Sequence, residues 1–174
     1  MNAPTIVQQK RSGFCFAACL QSLDNTWGGT YNQDDPGIDQ ETGYVNTNNS
    51  IVRWNAGTAS YSGIKTAIDN NSYCLVYMTG TYNHWVVAYA ATAATAAGIS
   101  VMDPYNGELI TLQRAMEIES ATTITENRIA YKYTWNTRAG QRGGLHEETE
   151  KMRAAASDRA FARAAAPRAV SLYR

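Results

Sequence analysis

Cys15, His84 and Asp103 are far apart in this chain, and Gln9 lies six residues before the thiol. Their flanks read Gln9-Lys10-Arg11-Ser12-Gly13-Phe14-Cys15-Phe16-Ala17-Ala18-Cys19-Leu20, His84-Trp85-Val86-Val87 and Met102-Asp103-Pro104-Tyr105-Asn106-Gly107. A free thiol, with a pKa of about 8.5, is mostly protonated at neutral pH and is a weak nucleophile in that form. A helix N-terminus favours thiolate, and a nearby imidazole can hold the displaced proton. An aspartate on the other ring nitrogen would fix the tautomer and orientation of that imidazole. The Gln9 amide and the Cys15 backbone N–H could then donate to an oxyanion, where one lost donor typically costs about 3 kcal/mol. The set points to acyl chemistry through Cys15.

Each residue alone has a plainer explanation. A cysteine in an apolar helix is usually a small buried hydrophobe, and Asp103-Pro104 alone is turn chemistry. The ordered conjunction is what carries the reading. Cys19, one turn after Cys15, is the rival nucleophile, but it lies inside the helix and away from its positive end. Cys74 falls in a Leu/Val strand and is expected in the core, and His146, beside Glu147 and Glu148, is expected to be a solvated helix residue.

The elements that must position these groups follow from local pattern. Ser12 or Gly13 is placed to cap a helix from about Phe14 to Asn25, closed by Gly28-Gly29. Residues 30–57, rich in Asn, Asp, Gly and Thr, read as a long loop with little regular structure. Tyr61 to Asn70 reads as a short helix with Ile64, Ala67 and Ile68 on one face. Strands are expected at 73–78, 84–90, 99–102, 108–112 and 128–135, with 91–98 joining two of them as an extended hairpin loop. Across that hairpin, His84 begins one strand and Asp103 ends another, so antiparallel pairing would bring both to one end of the sheet. The fold expected is α+β, with the nucleophile helix packed on a mostly antiparallel sheet.

Length suits one sizeable domain. Lys+Arg and Asp+Glu are balanced at 15 each, which gives no electrostatic reason to expect nucleic acid or anionic membrane as a partner. The balance is uneven along the chain. Residues 1–136 hold 7 basic and 11 acidic groups, and residues 137–174 hold 8 and 4. The expected division is a catalytic domain over 1–136, a flexible Gly-rich linker over 137–144, and an Ala/Arg-rich helical or disordered tail over 145–174. That tail reads as a surface helix, a disordered segment or an arm that binds a partner protein or its own catalytic domain; Gly143-Gly144 before it reads first as a plain linker and second as a self-cleavage site.

The three cysteines form no zinc-like or disulfide-framework spacing, and no metal or cofactor is expected. Residues 70–102 contain no Asp, Glu, Lys or Arg, yet Asn70, Asn71, Ser72, Asn83 and His84 keep them short of bilayer hydrophobicity. The N-terminus has no signal-type apolar run. The expected setting is cytoplasmic, or delivery from the cytoplasm by a route without a signal peptide.

The chain resembles the papain-like cysteine peptidases of the double-glycine, bacteriocin-processing type. The matching pieces are Gln9 with Cys15 and Ala17-Ala18, His84-Trp85-Val86-Val87, and Val101-Met102-Asp103-Pro104, over roughly residues 5–135. Phe16 stands where that family usually has glycine. The chain has no Walker-type phosphate loop, so the likeness is to stand-alone relatives rather than to an exporter. The resemblance implies a papain-like fold and a peptide or protein substrate, with Cys15 as nucleophile, His84 as base, Asp103 as orienting acid and Gln9 in the oxyanion hole. The same parts serve transglutaminase-like and deamidase enzymes, including bacterial toxins and effectors, and a non-catalytic binding module could retain the fold.

Overall fold

A computed structural model describes residues 1–34 and 50–134, together with the backbone of two short strands at 38–39 and 44–45. The expected linker over 137–144 and tail over 145–174, with His146 and Gly143-Gly144, lie outside the described residues. In chain order the elements are α1 (Cys15–Thr26), β1 (Ile38–Asp39), β2 (Tyr44–Val45), β3 (Val52–Gly57), α2 (Tyr61–Asp69), β4 (Tyr73–Gly80), β5 (His84–Ala91), β6 (Ile99–Asp103), β7 (Glu108–Thr111), α3 (Leu112–Glu119) and β8 (Ala121–Lys132). The α+β expectation holds: β3-β8-β4-β5-β6-β7 form one open sheet in which every neighbouring pair is antiparallel.

Both faces of this sheet are covered, which explains the charge-free run from 70 to 102. Alternate residues of the central strands belong to two cores. Tyr73, Leu75, Tyr77, Trp85, Val87 and Met102 pack with α1 through Cys19, Leu20 and Leu23. Cys74, Val76, Met78, Val86, Ala88 and Val101 pack with α2 and α3 through Ile64, Ala67, Leu112 and Ala115. A strand buried on both faces has no solvent side on which to place a charge, so it reads as a continuous apolar run.

Helix α1 starts differently from expectation. Phe14, not Ser12 or Gly13, occupies the N-cap position, and no side chain caps the helix. Gly13 instead supplies a left-handed residue at φ +85° in the turn before it. The end is as expected. Gly28, at φ +85°, donates to the Asn25 carbonyl and Gly29 to the Asp24 carbonyl, a Schellman closure. Nearly the whole helix is buried, because the N-terminal segment lies along its other side: Ser22 Oγ donates to the Thr5 carbonyl at 2.5 Å, and Thr5 N–H donates to Thr26 Oγ1 at 2.8 Å.

Three local expectations are corrected. Residues 52–57, assigned to loop, form edge strand β3, whose polar residues hid a pairing partner supplied only by β8. Residues 112–119 form α3, capped by Thr111 Oγ1 accepting from Arg114 N–H; its buried Leu112, Ala115, Met116 and Glu119 follow helical spacing, with the stripe obscured by a glutamate in an apolar position. The last strand begins at Ala121 rather than Arg128.

The far end of α1 is tied to the strand region by one buried carboxylate. Asp24 Oδ1 accepts from Tyr31 N–H at 2.9 Å, while Oδ2 accepts from Ser50 Oγ at 2.9 Å and Ile51 N–H at 2.8 Å. Gly29 leaves room for it, since a Cβ there would stand 1.9 Å from Asp24 Oδ1. Asp24→Ala strands these donors, and the expected loss is about 3 kcal/mol in urea unfolding. An unchanged unfolding midpoint would refute the role given to this carboxylate.

Candidate active site

His84 opens β5 and Asp103 closes β6. These strands are antiparallel, with Val87 opposite Met102, so both residues reach the same end of the sheet. Their side chains meet there, with His84 Nε2 and Asp103 Oδ1 2.7 Å apart and both residues fully buried. The same Oδ1 accepts the Tyr105 N–H at 2.9 Å, an Asx-type turn through Pro104 that holds the carboxylate in place. Tyr105 also sets its ring edge-on to the imidazole, with centroids 6.4 Å apart.

With Nε2 committed to Asp103, the second imidazole nitrogen is left for the thiol. Nδ1 makes no hydrogen bond of good geometry among the described residues. Cys15 is nonetheless near enough to strengthen the imidazole's hold on its proton, by hydrogen bonding and by charge. Burial alone would push the imidazole pKa down; the Asp103 hydrogen bond and the Cys15 thiol outweigh it and hold the pKa at about 10. His84 is therefore an imidazolium at neutral pH.

Cys15 is the first residue of α1, as a dipole-assisted thiol requires. A first-turn position predicts a partly exposed thiol, but Cys15 is only 1% exposed and belongs to the core cluster around α1. The aromatic neighbours Phe14 and Phe16 are buried on either side of it. Cys19 is fully buried and its Sγ donates to the Trp85 carbonyl at 3.3 Å. Burial first, then the charge of Cys15 and Asp103, pushes that thiol well above its ordinary value, so Cys19 stays protonated and makes a poor nucleophile. Cys74 is core as expected, with burial pushing its thiol up to about 12.

Gln9 is carried to the site by backbone bonds. Its N–H donates to the Pro104 carbonyl at 2.7 Å, one residue beyond Asp103. On the other edge of this segment the buried Gln33 acts like a strand peptide. Its Nε2 donates to the Gln8 carbonyl at 3.0 Å, and its Oε1 accepts from Lys10 N–H at 2.8 Å. The Gln33 N–H donates in turn to Gln21 Oε1 on α1, at 3.1 Å. Gly107, at φ +65°, allows the close approach, since a Cβ there would lie 2.9 Å from Gln8 Cβ. Gln9 Oε1 is buried without a hydrogen bond among the described residues.

Cys15, His84 and Asp103 are thus brought together from α1, β5 and β6, and the Gln9 backbone is bonded to the residue that follows Asp103. Gln33 and Tyr105 were missed because neither has a distinguishing local pattern. No group of side chains suited to hold a metal ion occurs among the described residues, and no helix among them is long and apolar enough to cross a membrane. No protein-family model matches the sequence, and no curated protein shows significant similarity to it.

The raised imidazole pKa has a consequence for stability. Folded His84 holds its proton up to about pH 10, against 6.5 for the unfolded group, so its contribution is complete below 6.5 and lost as pH rises through 10. The melting temperature should therefore fall between pH 7 and 10, and Asp103→Asn should flatten that slope. Parallel profiles for wild type and variant would contradict the assigned pair.

Proposed function

We propose that this chain is a papain-like cysteine peptidase acting on a peptide or protein substrate. The observation that supports it most is the buried His84 imidazole, bonded at Nε2 to Asp103 and near enough to Cys15 at the start of α1 for the thiol to strengthen its hold on a proton. In this reading His84 carries the proton that Cys15 gives up, and the sulfur attacks as thiolate.

The thiolate attacks the scissile carbonyl carbon, forming a C–S bond and moving the carbonyl π electrons onto oxygen. The Cys15 N–H, which lies in the first turn and has no intrahelical acceptor, donates to that oxyanion together with the Gln9 amide. Collapse breaks the C–N bond as His84 gives its proton to the departing amine, leaving a thioester. Water then attacks the thioester while His84 takes a proton from it, and the acid is released with the thiolate restored. Asp103 stays ionised and orients the ring throughout. Deamidation and transglutamination share the first half of this sequence and differ in which amine leaves or enters.

Three unpaired cysteines fit a reducing compartment. We place the protein in the cytoplasm on that ground.

Intact-mass labelling with iodoacetamide should modify Cys15 ahead of Cys19 and Cys74, and a peptide library should show cleavage by wild type but not by Cys15→Ser or Cys15→Ala. Gln9→Ala should lower the rate roughly 100-fold. Ammonia release without new peptide termini would move the assignment to a deamidase. Preferential labelling of Cys19, or cleavage that survives loss of the Cys15 thiol, would discard it.

A further inference from the structure

Phe16 and Trp85 each lie one residue beyond a member of the candidate pair, Cys15 on α1 and His84 on β5. Their rings pack with centroids 4.7 Å apart. The guanidinium of Arg128, reaching from β8, lies over both, 5.0 Å from the Phe16 ring centre and 4.6 Å from that of Trp85. It also lies 5.2 Å from Trp54 on β3, which meets Phe16 edge-on at 5.7 Å. Tyr77 stacks on Trp85 at 4.7 Å and 23°. Arg128 Nε and Nη2 donate to Glu126 Oε2 at 3.0 and 2.8 Å, and its side chain is only 12% exposed.

The topology makes this placement informative. In the sheet, β4 separates β8 from β5, so Arg128 crosses a strand to reach Trp85 on the face that carries α1. A planar guanidinium can stack on several rings while keeping its in-plane donors for a carboxylate; an ammonium cannot do both. One charged group thereby spans the helix bearing the thiol and the strand bearing the imidazole. The Cys19 bond to the Trp85 carbonyl fastens the same seam one helical turn further on.

We propose that Arg128 is a positioning residue: by holding Phe16 and Trp85 against one guanidinium, it sets the spacing between Cys15 and His84. Its catalytic significance rests on the reading of those two as nucleophile and proton carrier, but the spacing itself can be measured without turnover. His84 is one of two histidines in the chain, so its imidazole nitrogens can be followed by NMR titration. The groups facing it are Cys15 from α1, Asp103 from β6 and Tyr105 from the turn after β6. Loosening the Cys15 contact removes part of what holds its proton, and the midpoint should move down.

The test compares wild type with Arg128→Met/Glu126→Gln, which leaves no carboxylate stripped of its partner, and with Arg128→Lys. The double variant should keep its circular dichroism, titrate His84 below the wild-type midpoint, and react with iodoacetamide at Cys15 about tenfold more slowly at pH 7. Arg128→Lys should recover only part of both effects, because it restores charge without the stacking plane. A folded double variant with wild-type His84 titration overturns the proposal. If the double variant does not fold, Arg128→Lys decides by the same midpoint, with no shift counting against it. A wild-type Cys15 that resists alkylation and supports no hydrolysis discards the peptidase reading, while the His84 midpoint still decides the role of Arg128.

Discussion

A charged pair without access to water governs this molecule. His84 and Asp103 are both fully buried and share one short contact. Removing two ions from water costs several kcal/mol each, and only close, well-oriented pairing in surroundings that do not relax returns that energy. The ends of β5 and β6 must therefore be held rigidly, and the construction around them serves that need. The strands are central in the sheet and covered on both faces, with apolar cores above and below. The Asx turn through Pro104 holds the same carboxylate oxygen that meets the ring.

Two buried aspartates have their hydrogen bonds distributed in different ways. Asp24 is saturated: both its oxygens accept, from Tyr31, Ser50 and Ile51, and each donor belongs to a segment it anchors. Asp103 concentrates its bonds on Oδ1, which serves both His84 and Tyr105, while Oδ2 is buried without a hydrogen bond among the described residues. An unsatisfied buried carboxylate oxygen is costly, while the hydrogen bond through Oδ1, together with Cys15, raises the imidazole pKa against the effect of burial. Local cost and a raised histidine pKa belong to one arrangement of buried groups.

The thiol side of the site is built on different physics. Cys15 gains its place from the first turn of α1, whose N-terminus carries no side-chain cap. Omitting a cap leaves first-turn N–H groups without a side-chain acceptor. Stability given up there is recovered along the rest of the helix, through its buried apolar residues, the Schellman closure at Gly28-Gly29 and the Asp24 anchor.

Much of this was legible in the residues themselves. Two-residue periodicity, turn chemistry and the His84 and Asp103 positions across one hairpin were enough to place both at one end of an antiparallel sheet, because register in a hairpin is a local property. The α1 span and its glycine closure were likewise local. What the residues could not disclose were features made by distant partners. Strand β3 looked like loop because its polar edge pairs only with β8. Helix α3 was hidden by Glu119, a charged residue on a buried face. Gln33 reads as an ordinary loop residue until its amide is seen completing the ladder beside Gln9. Arg128 reads as a strand-surface charge until folding brings three aromatic rings around it. Residue type and spacing determined which groups could do the chemistry. The burial of Cys15, the raised pKa of His84 and the packing of Arg128 on three rings were decided by tertiary structure, since each depends on atoms brought together from strands and helices far apart in the chain.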